Sequence, residues 1–147
     1  MQLRTILLLL CLIAHSCAEV IKVKDCGSVH GRVNSVEVIP CRREPCRLRK
    51  ERDYTIQVSF TSLVQSQTSK ALAYAITSDG DHPIPVEEDA CKSGLKCPIQ
   101  ESSTYLYKTT LNVPPYAPTI DCDVQWKLLD DGGDNLFCIQ FPVKIVN

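Results

Sequence analysis

Few residues in this chain have the chemistry to define a site, and cysteine leads them. Nine cysteines occur in 147 residues. Cys11 and Cys17 fall in an N-terminal stretch that reads as a targeting signal. Arg4 supplies its charge, Ile6 to Ile13 its apolar run, and Ser16-Cys17-Ala18 the small residues a signal peptidase needs. That reading makes residues 1–18 a signal peptide and 19–147 the mature domain. The apolar run is shorter than the ~20 residues of a bilayer span. Seven cysteines then remain: Cys26, Cys41, Cys46, Cys91, Cys97, Cys122 and Cys138. In a small secreted chain they predict a disulfide framework with one thiol left over. Cys41 and Cys46, and Cys91 and Cys97, are close enough in sequence to clamp short loops. Cys26 and Cys138 would tie the first strand to the last, a connectivity that spacing alone leaves open. No metal site is expected, because CxxC pairs are absent and only His30 and His82 follow residue 18.

Catalysis needs a nucleophile with a base, an acid/base pair or a metal. The sequence has no GxSxG elbow and no phosphate-cradling glycine loop. His30 and His82 sit among turn-forming residues and read as solvated loop side chains. Glu87-Glu88-Asp89 and Asp130-Asp131 are adjacent carboxylates of the kind that usually face water. Asp130 to Asn135 lacks the twelve-residue ligand pattern of a calcium loop. The chain therefore reads as a binding protein rather than an enzyme, with no cofactor.

Charge narrows the partners. The chain carries 16 basic and 17 acidic residues, which gives no reason to expect nucleic acid. Against that balance stands one basic cluster: Arg42, Arg43, Arg47, Arg49, Lys50 and Arg52, offset by Glu44 and Glu51. On a strand, Arg47 and Arg49 share the face opposite Leu48. Such a cluster is either a charged solvent face or a patch that meets anionic lipid headgroups or a receptor.

The elements that must position these residues follow a period of two. Tyr54, Ile56, Val58 and Phe60 alternate with polar neighbours. Leu72, Tyr74 and Ile76 alternate with alanines. Tyr105, Tyr107, Thr109, Leu111 and Val113 share one parity, and so do Ile120, Cys122, Val124, Trp126 and Leu128. Phe137, Ile139, Phe141, Val143 and Ile145 form the last set. Shorter strands are expected at Val20–Cys26, Arg32–Ile39 and Cys46–Lys50. Ser78-Asp79-Gly80-Asp81 and Asp130 to Asn135 carry turn chemistry. Pro83, Pro85, Pro114, Pro115 and Pro118 mark edges and irregular segments, since proline cannot donate to a ladder. About eight short strands with no helical period predict an all-β antiparallel sandwich.

Four ordered motifs add to this. They are Asp25-Cys26-Gly27-Ser28-Val29; Pro40-Cys41 with Pro45-Cys46-Arg47-Leu48; Asp89-Ala90-Cys91-Lys92-Ser93-Gly94 leading to Cys97-Pro98-Ile99; and Val124-Gln125-Trp126-Lys127-Leu128 with Asp130-Asp131 and Phe137-Cys138. Together they resemble the ML lipid-recognition family, which includes the mite group 2 allergens. The resemblance covers essentially all of residues 19–147. It implies an immunoglobulin-like antiparallel β-sandwich with an apolar cavity between its two sheets, and the pairs Cys26–Cys138, Cys41–Cys46 and Cys91–Cys97. It implies a sterol, fatty acid or related lipid as ligand, carried between membranes or proteins by a monomer. The other function it implies is a lipid or semiochemical recognition module in innate immunity or chemical communication.

Carried over position by position, the resemblance places Val38, Leu48, Tyr54, Ile56, Leu111, Val113, Val124 and Trp126 in the lipid site. Ile139 and Phe141 join them by their inward parity. Three positions depart from the family's sterol carriers. Pro83-Ile84-Pro85 has an isoleucine where they have an entrance phenylalanine. Ala117 stands where they have a tyrosine, with Tyr116 one residue earlier. Cys122 faces inward where an aliphatic side chain is usual. These changes predict a wider mouth and a ligand range broader than one sterol. Gln57 replaces the asparagine of a glycosylation sequon, so the expected destination is extracellular, with a lysosomal or endosomal lumen as the alternative.

Overall fold

The computed structural model describes residues 19–147, so the N-terminal signal reading lies outside the described residues. Ten strands are present: β1 (Glu19–Val20), β2 (Lys24–Asp25), β3 (Gly31–Ile39), β4 (Cys46–Arg49), β5 (Asp53–Ser62), β6 (Lys70–Thr77), β7 (Gly80–Ile84), β8 (Thr104–Asn112), β9 (Asp121–Leu129) and β10 (Asn135–Val146). They form a four-stranded sheet, β1-β3-β5-β8, and a six-stranded sheet, β2-β10-β9-β6-β7, to which β4 adds by pairing with β10. No helix among the described residues is long and apolar enough to cross a membrane.

Alternation decides which side chains meet between the sheets. Val36, Val38, Ile56, Val58, Phe60, Tyr107 and Leu111 of the first sheet face Val124, Trp126, Leu128, Phe137, Ile139, Phe141 and Val143 of the second, each no more than 3% exposed. Burying a side chain of this size contributes about 1.5–3 kcal/mol. One end is filled by aromatics: Phe60 and Phe137 meet edge-on at 5.3 Å between ring centroids, and Tyr107 lies 6.4 Å from Trp126.

One detail differs from the sequence reading, and a second is a choice of face that the reading left open. The antiparallel pattern is broken once, because β4 runs parallel to β10. The chain leaves the first sheet at Ile39 and enters the second after the loop closed by Cys41–Cys46. Switching sheets in this way turns a sandwich corner and sets the direction of the strand that follows. In β6 the alanines face inward: Ala71 and Ala73 are buried, while Leu72, Tyr74 and Ile76 lie half-exposed on the outer face. The reason is cross-strand volume. Ala71 pairs with Leu128, Ala73 with Trp126 and Ala75 with Val124, and small residues leave room for these bulky neighbours in a close-packed interior.

The sandwich is pinned at the aromatic end. Cys26–Cys138 joins the segment before β3 to β10, across a sequence separation of 112. Asn135 O accepts from the N–H groups of both Val29 and His30. A register shift between Asn135 and Phe137 adds Leu136 to the buried set. There the backbones approach so closely that a Cβ on Gly31 would lie 2.1 Å from Leu136 O, so only glycine fits. Cys91–Cys97 closes the loop around the short 3₁₀ turn Ala90–Lys92, capped by the Asp89 carboxylate accepting from Cys91 N–H.

Candidate functional site

At the opposite end the sheets do not close on each other. A cavity of about 670 Å³ lies between them and opens to solvent. Leu111 and Val113 line it from the first sheet, and Leu48, Ala75, Ile84, Cys122, Val124, Val143 and Ile145 from the second. Its mouth is made by Pro83 to Pro85 at the end of edge strand β7 and by the loop carrying Pro114, Tyr116, Ala117 and Pro118. Pro83 is tolerated within β7 because that strand is the sheet's edge, and Pro114 and Pro118 fall in the irregular segment between β8 and β9. The walls are apolar, and the volume lies within the ~300–1,000 Å³ of small-molecule sites.

The β6–β7 hairpin contributes the polar side chains Thr77, Ser78, Asp79 and His82 to the rim. His82 Nε2 lies 3.2 Å from Thr77 Oγ1 and 3.3 Å from Asp79 Oδ1, and the Thr77 hydroxyl also donates to Asp79. The Thr77 hydrogen bond, followed by His82, holds the Asp79 carboxyl below its ordinary range. Asp121 on β9 and Asn112 on β8 are further polar residues lining the cavity. Tyr116 stands at the mouth, 82% exposed, so the aromatic nearest the entrance projects outward rather than closing it.

Of the residues expected at the lipid site, Leu48, Ile84, Leu111, Val113, Cys122 and Val124 border the cavity. Trp126, Ile139 and Phe141 lie further inward along β9 and β10, while Val38 on β3 and Tyr54 and Ile56 on β5 belong to strands that do not border the cavity; all six are 4% exposed or less. The register orders them: Val143 pairs with Cys122, Phe141 with Val124 and Ile139 with Trp126, running inward from the mouth. Two of the deep residues have definite structural partners. Trp126 Nε1–H donates to the Tyr107 hydroxyl at 3.1 Å, and the Tyr54 hydroxyl accepts from Arg49 N–H at 2.7 Å.

Sequence reasoning did not assign Ala75, Val143, Ile145 or Ile120 to the site. Parity signalled Val143, Ile145 and Ile120, which continue the inward sets of β10 and β9. Ala75 gave no signal, since its role depends on which face of β6 its neighbours leave open.

Cys122 is the one free cysteine among the described residues, and it is buried. Burial first, then the charges of Asp123 and Asp121, push its thiol pKa up. A thiol so placed stays neutral and weakly nucleophilic.

His30 is not the solvated loop histidine that its neighbours suggested. Its Nδ1–H donates to Asp130 Oδ2 at 2.6 Å, and it is only partly exposed. Asp130 Oδ1 also accepts from the N–H groups of Gly132 and Asp134. Burial alone would raise the Asp130 carboxyl, but the hydrogen bonds from His30, Asp134 and Gly132 outweigh it and hold the pKa low. The Asp131 carboxylate accepts from Gln67 N–H, Thr68 N–H and the Thr68 hydroxyl, which ties the β9–β10 loop to the β5–β6 loop. The aspartates of this loop therefore serve the architecture.

Similarity to known proteins agrees with this arrangement. A profile described as the ML domain matches residues 20–145. The NPC intracellular cholesterol transporter 2 of Danio rerio is 46% identical over 140 residues, covering 95% of this chain and 94% of that protein. Its counterpart in Mus musculus is 45% identical over 142 residues, covering 96% and 95%. The crystal structure of a Niemann-Pick type C2 protein from the Japanese carpenter ant superposes with a TM-score of 0.79 at 26% identity, covering 86% of this chain and 100% of that one. This chain belongs to the ML domain family.

Proposed function

We propose that this protein binds a sterol or related lipid, fatty acids included, in the cavity between its sheets and carries it between membranes or partner proteins. The observation that carries the reading is the apolar cavity itself, open at one end of an otherwise close-packed sandwich. An apolar ligand needs no catalytic group. Burying about 300 Å² of its surface would contribute roughly 7–8 kcal/mol before ordering costs. The polar rim at Thr77, Asp79 and His82 offers hydrogen bonds to a ligand's polar end, while the walls at Leu111, Val124 and Val143 take its apolar body.

Three disulfides support an oxidising compartment, and secretion to the extracellular space or a lysosomal lumen fits them. The relatives named as cholesterol transporters favour transport over catalysis.

The test is extraction of the purified, oxidised protein with identification of its lipids by mass spectrometry, followed by a panel of sterols, fatty acids and phospholipids. A protein that arrives empty and takes up none of them refutes the reading. Repeating the panel with Ile84→Phe narrows the mouth and is expected to restrict the range of ligands accepted.

A further inference from the structure

The basic cluster has a placement that the lipid site does not use. Residues 42–52 carry six basic and two acidic side chains, a local excess of four positive charges in a chain whose formal net charge is −1. Arg42, Arg43, Arg47, Arg49 and Arg52 are exposed. Among the described residues no carboxylate pairs with any of them, or with Lys50, within 4.0 Å. Glu44 is turned aside, its Oε1 accepting from Lys22 N–H.

The backbone beneath these charges is held firmly. The Cys41–Cys46 bond closes the loop bearing Arg42 and Arg43, and β4 is paired along its length with β10. Arg49 N–H is taken by the Tyr54 hydroxyl, Lys50 N–H by Val146 O, and Arg52 O by Val113 N–H. Along β4, Leu48 points into the cavity, so Arg47 and Arg49 point away from it, about 6–7 Å apart. The parallel register sets Lys144 beside Arg47, with its Nζ 3.7 Å from Asp121 Oδ2. The result is a row of cations, Arg47, Arg49 and Lys144, on the outer surface of the six-stranded sheet, with Arg42 and Arg43 on the adjoining clamped loop and Arg52 on the turn that follows β4.

We propose that this row binds a linear sulfated polysaccharide. Arginine's planar fork holds sulfate oxygens with paired charge-assisted hydrogen bonds, and cations carried on a held backbone engage successive sulfates without ordering the main chain. A bilayer fits less well. Segment 42–52 contributes none of the exposed large apolar side chains that would enter a membrane interface, and the cavity's own rim bears Asp79, which an anionic surface repels. The proposal does not depend on lipid binding in the cavity.

The test uses the full oxidised protein on immobilised heparin, on desulfated heparin, and with vesicles containing phosphatidylserine. Binding to heparin that is lost on desulfation and weakens steeply with salt is expected. Arg47→Gln/Arg49→Gln should weaken it about tenfold or more, as the loss of two charge-assisted contacts. Lys96→Gln/Lys108→Gln, which removes two charges from other parts of the surface, should leave it nearly unchanged. Near-UV circular dichroism of each variant reports that the fold is intact. The proposal is overturned by equal binding to desulfated heparin, by an equal effect of the two double variants, by no binding at physiological salt, or by vesicle binding without heparin binding.

Discussion

The indole Nε1–H of Trp126 on β9 donates to the hydroxyl of Tyr107 on β8, a 3.1 Å hydrogen bond between the two sheets with both side chains fully buried. Each group removes the other's desolvation penalty. Burial pushes the Tyr107 pKa up, with the Trp126 hydrogen bond opposing it, so the phenol remains protonated under physiological conditions. Tyr107→Phe keeps the ring but leaves the indole N–H without its partner. The expected loss is about 1–3 kcal/mol, read as a lower urea midpoint with an unchanged slope. Because Trp126 lies deeper than the cavity wall, its fluorescence should respond to this variant directly and to ligand only through the intervening side chains.

At Gly31 the backbones of β3 and β10 approach closely. Gly31→Ala would press its methyl group onto Leu136 O, a backbone atom that cannot swing aside. Overpacking of this kind costs about 1–3 kcal/mol or more. Thermal unfolding of Gly31→Ala beside Gly132→Ala, whose Cβ would meet nothing closer than 3.4 Å, separates the close approach from a general loss of glycine. Equal midpoints for the two variants would contradict it.

The His30–Asp130 contact predicts an acid limb in stability. The folded-state pKa of Asp130 is lowered, so its contribution is fully present above the unfolded value of about 3.9 and is lost as pH falls through the lower folded value. Asp131, held low first by the Thr68 hydroxyl, adds to the same limb. Asp130→Asn should be less stable at neutral pH and should lose less than the parent between pH 5 and pH 2, as urea titrations at each pH would show. Parallel acid limbs would mean that other carboxylates account for the effect.

Cys122 reports on the cavity. Its raised pKa keeps the thiolate scarce, so alkylation of the native protein at pH 8 should be slow and should accelerate on unfolding or at higher pH. If lipid occupies the cavity, loading should slow the reaction further, and a bulky maleimide on Cys122 should block loading. Labelling at the same rate with and without bound lipid would place the ligand elsewhere.

Period two along β5, β8, β9 and β10 made the sandwich and most of its inner face legible in the sequence, because a half-buried strand must alternate. The motifs around Cys26, Cys41, Cys91 and Trp126 carried the family. Local pattern was not enough at three places. Alanines and large apolar residues alternate in β6, and only the bulk of Trp126 and Leu128 on β9 decides that the alanines turn inward. His30 sits among turn residues, and its partner Asp130 is one hundred positions away. Parity assigns Ile139 and Val143 to the same face equally well, yet one is sealed in the core and the other borders the cavity. What the sequence by itself determined is what each residue's own neighbours dictate: strands, turns, inward parity and the supply of cysteines. Where the sheets part to leave a cavity, and which side chains stand at its edge, depends on how volumes from distant strands add up across the interior, and that only the tertiary structure decided.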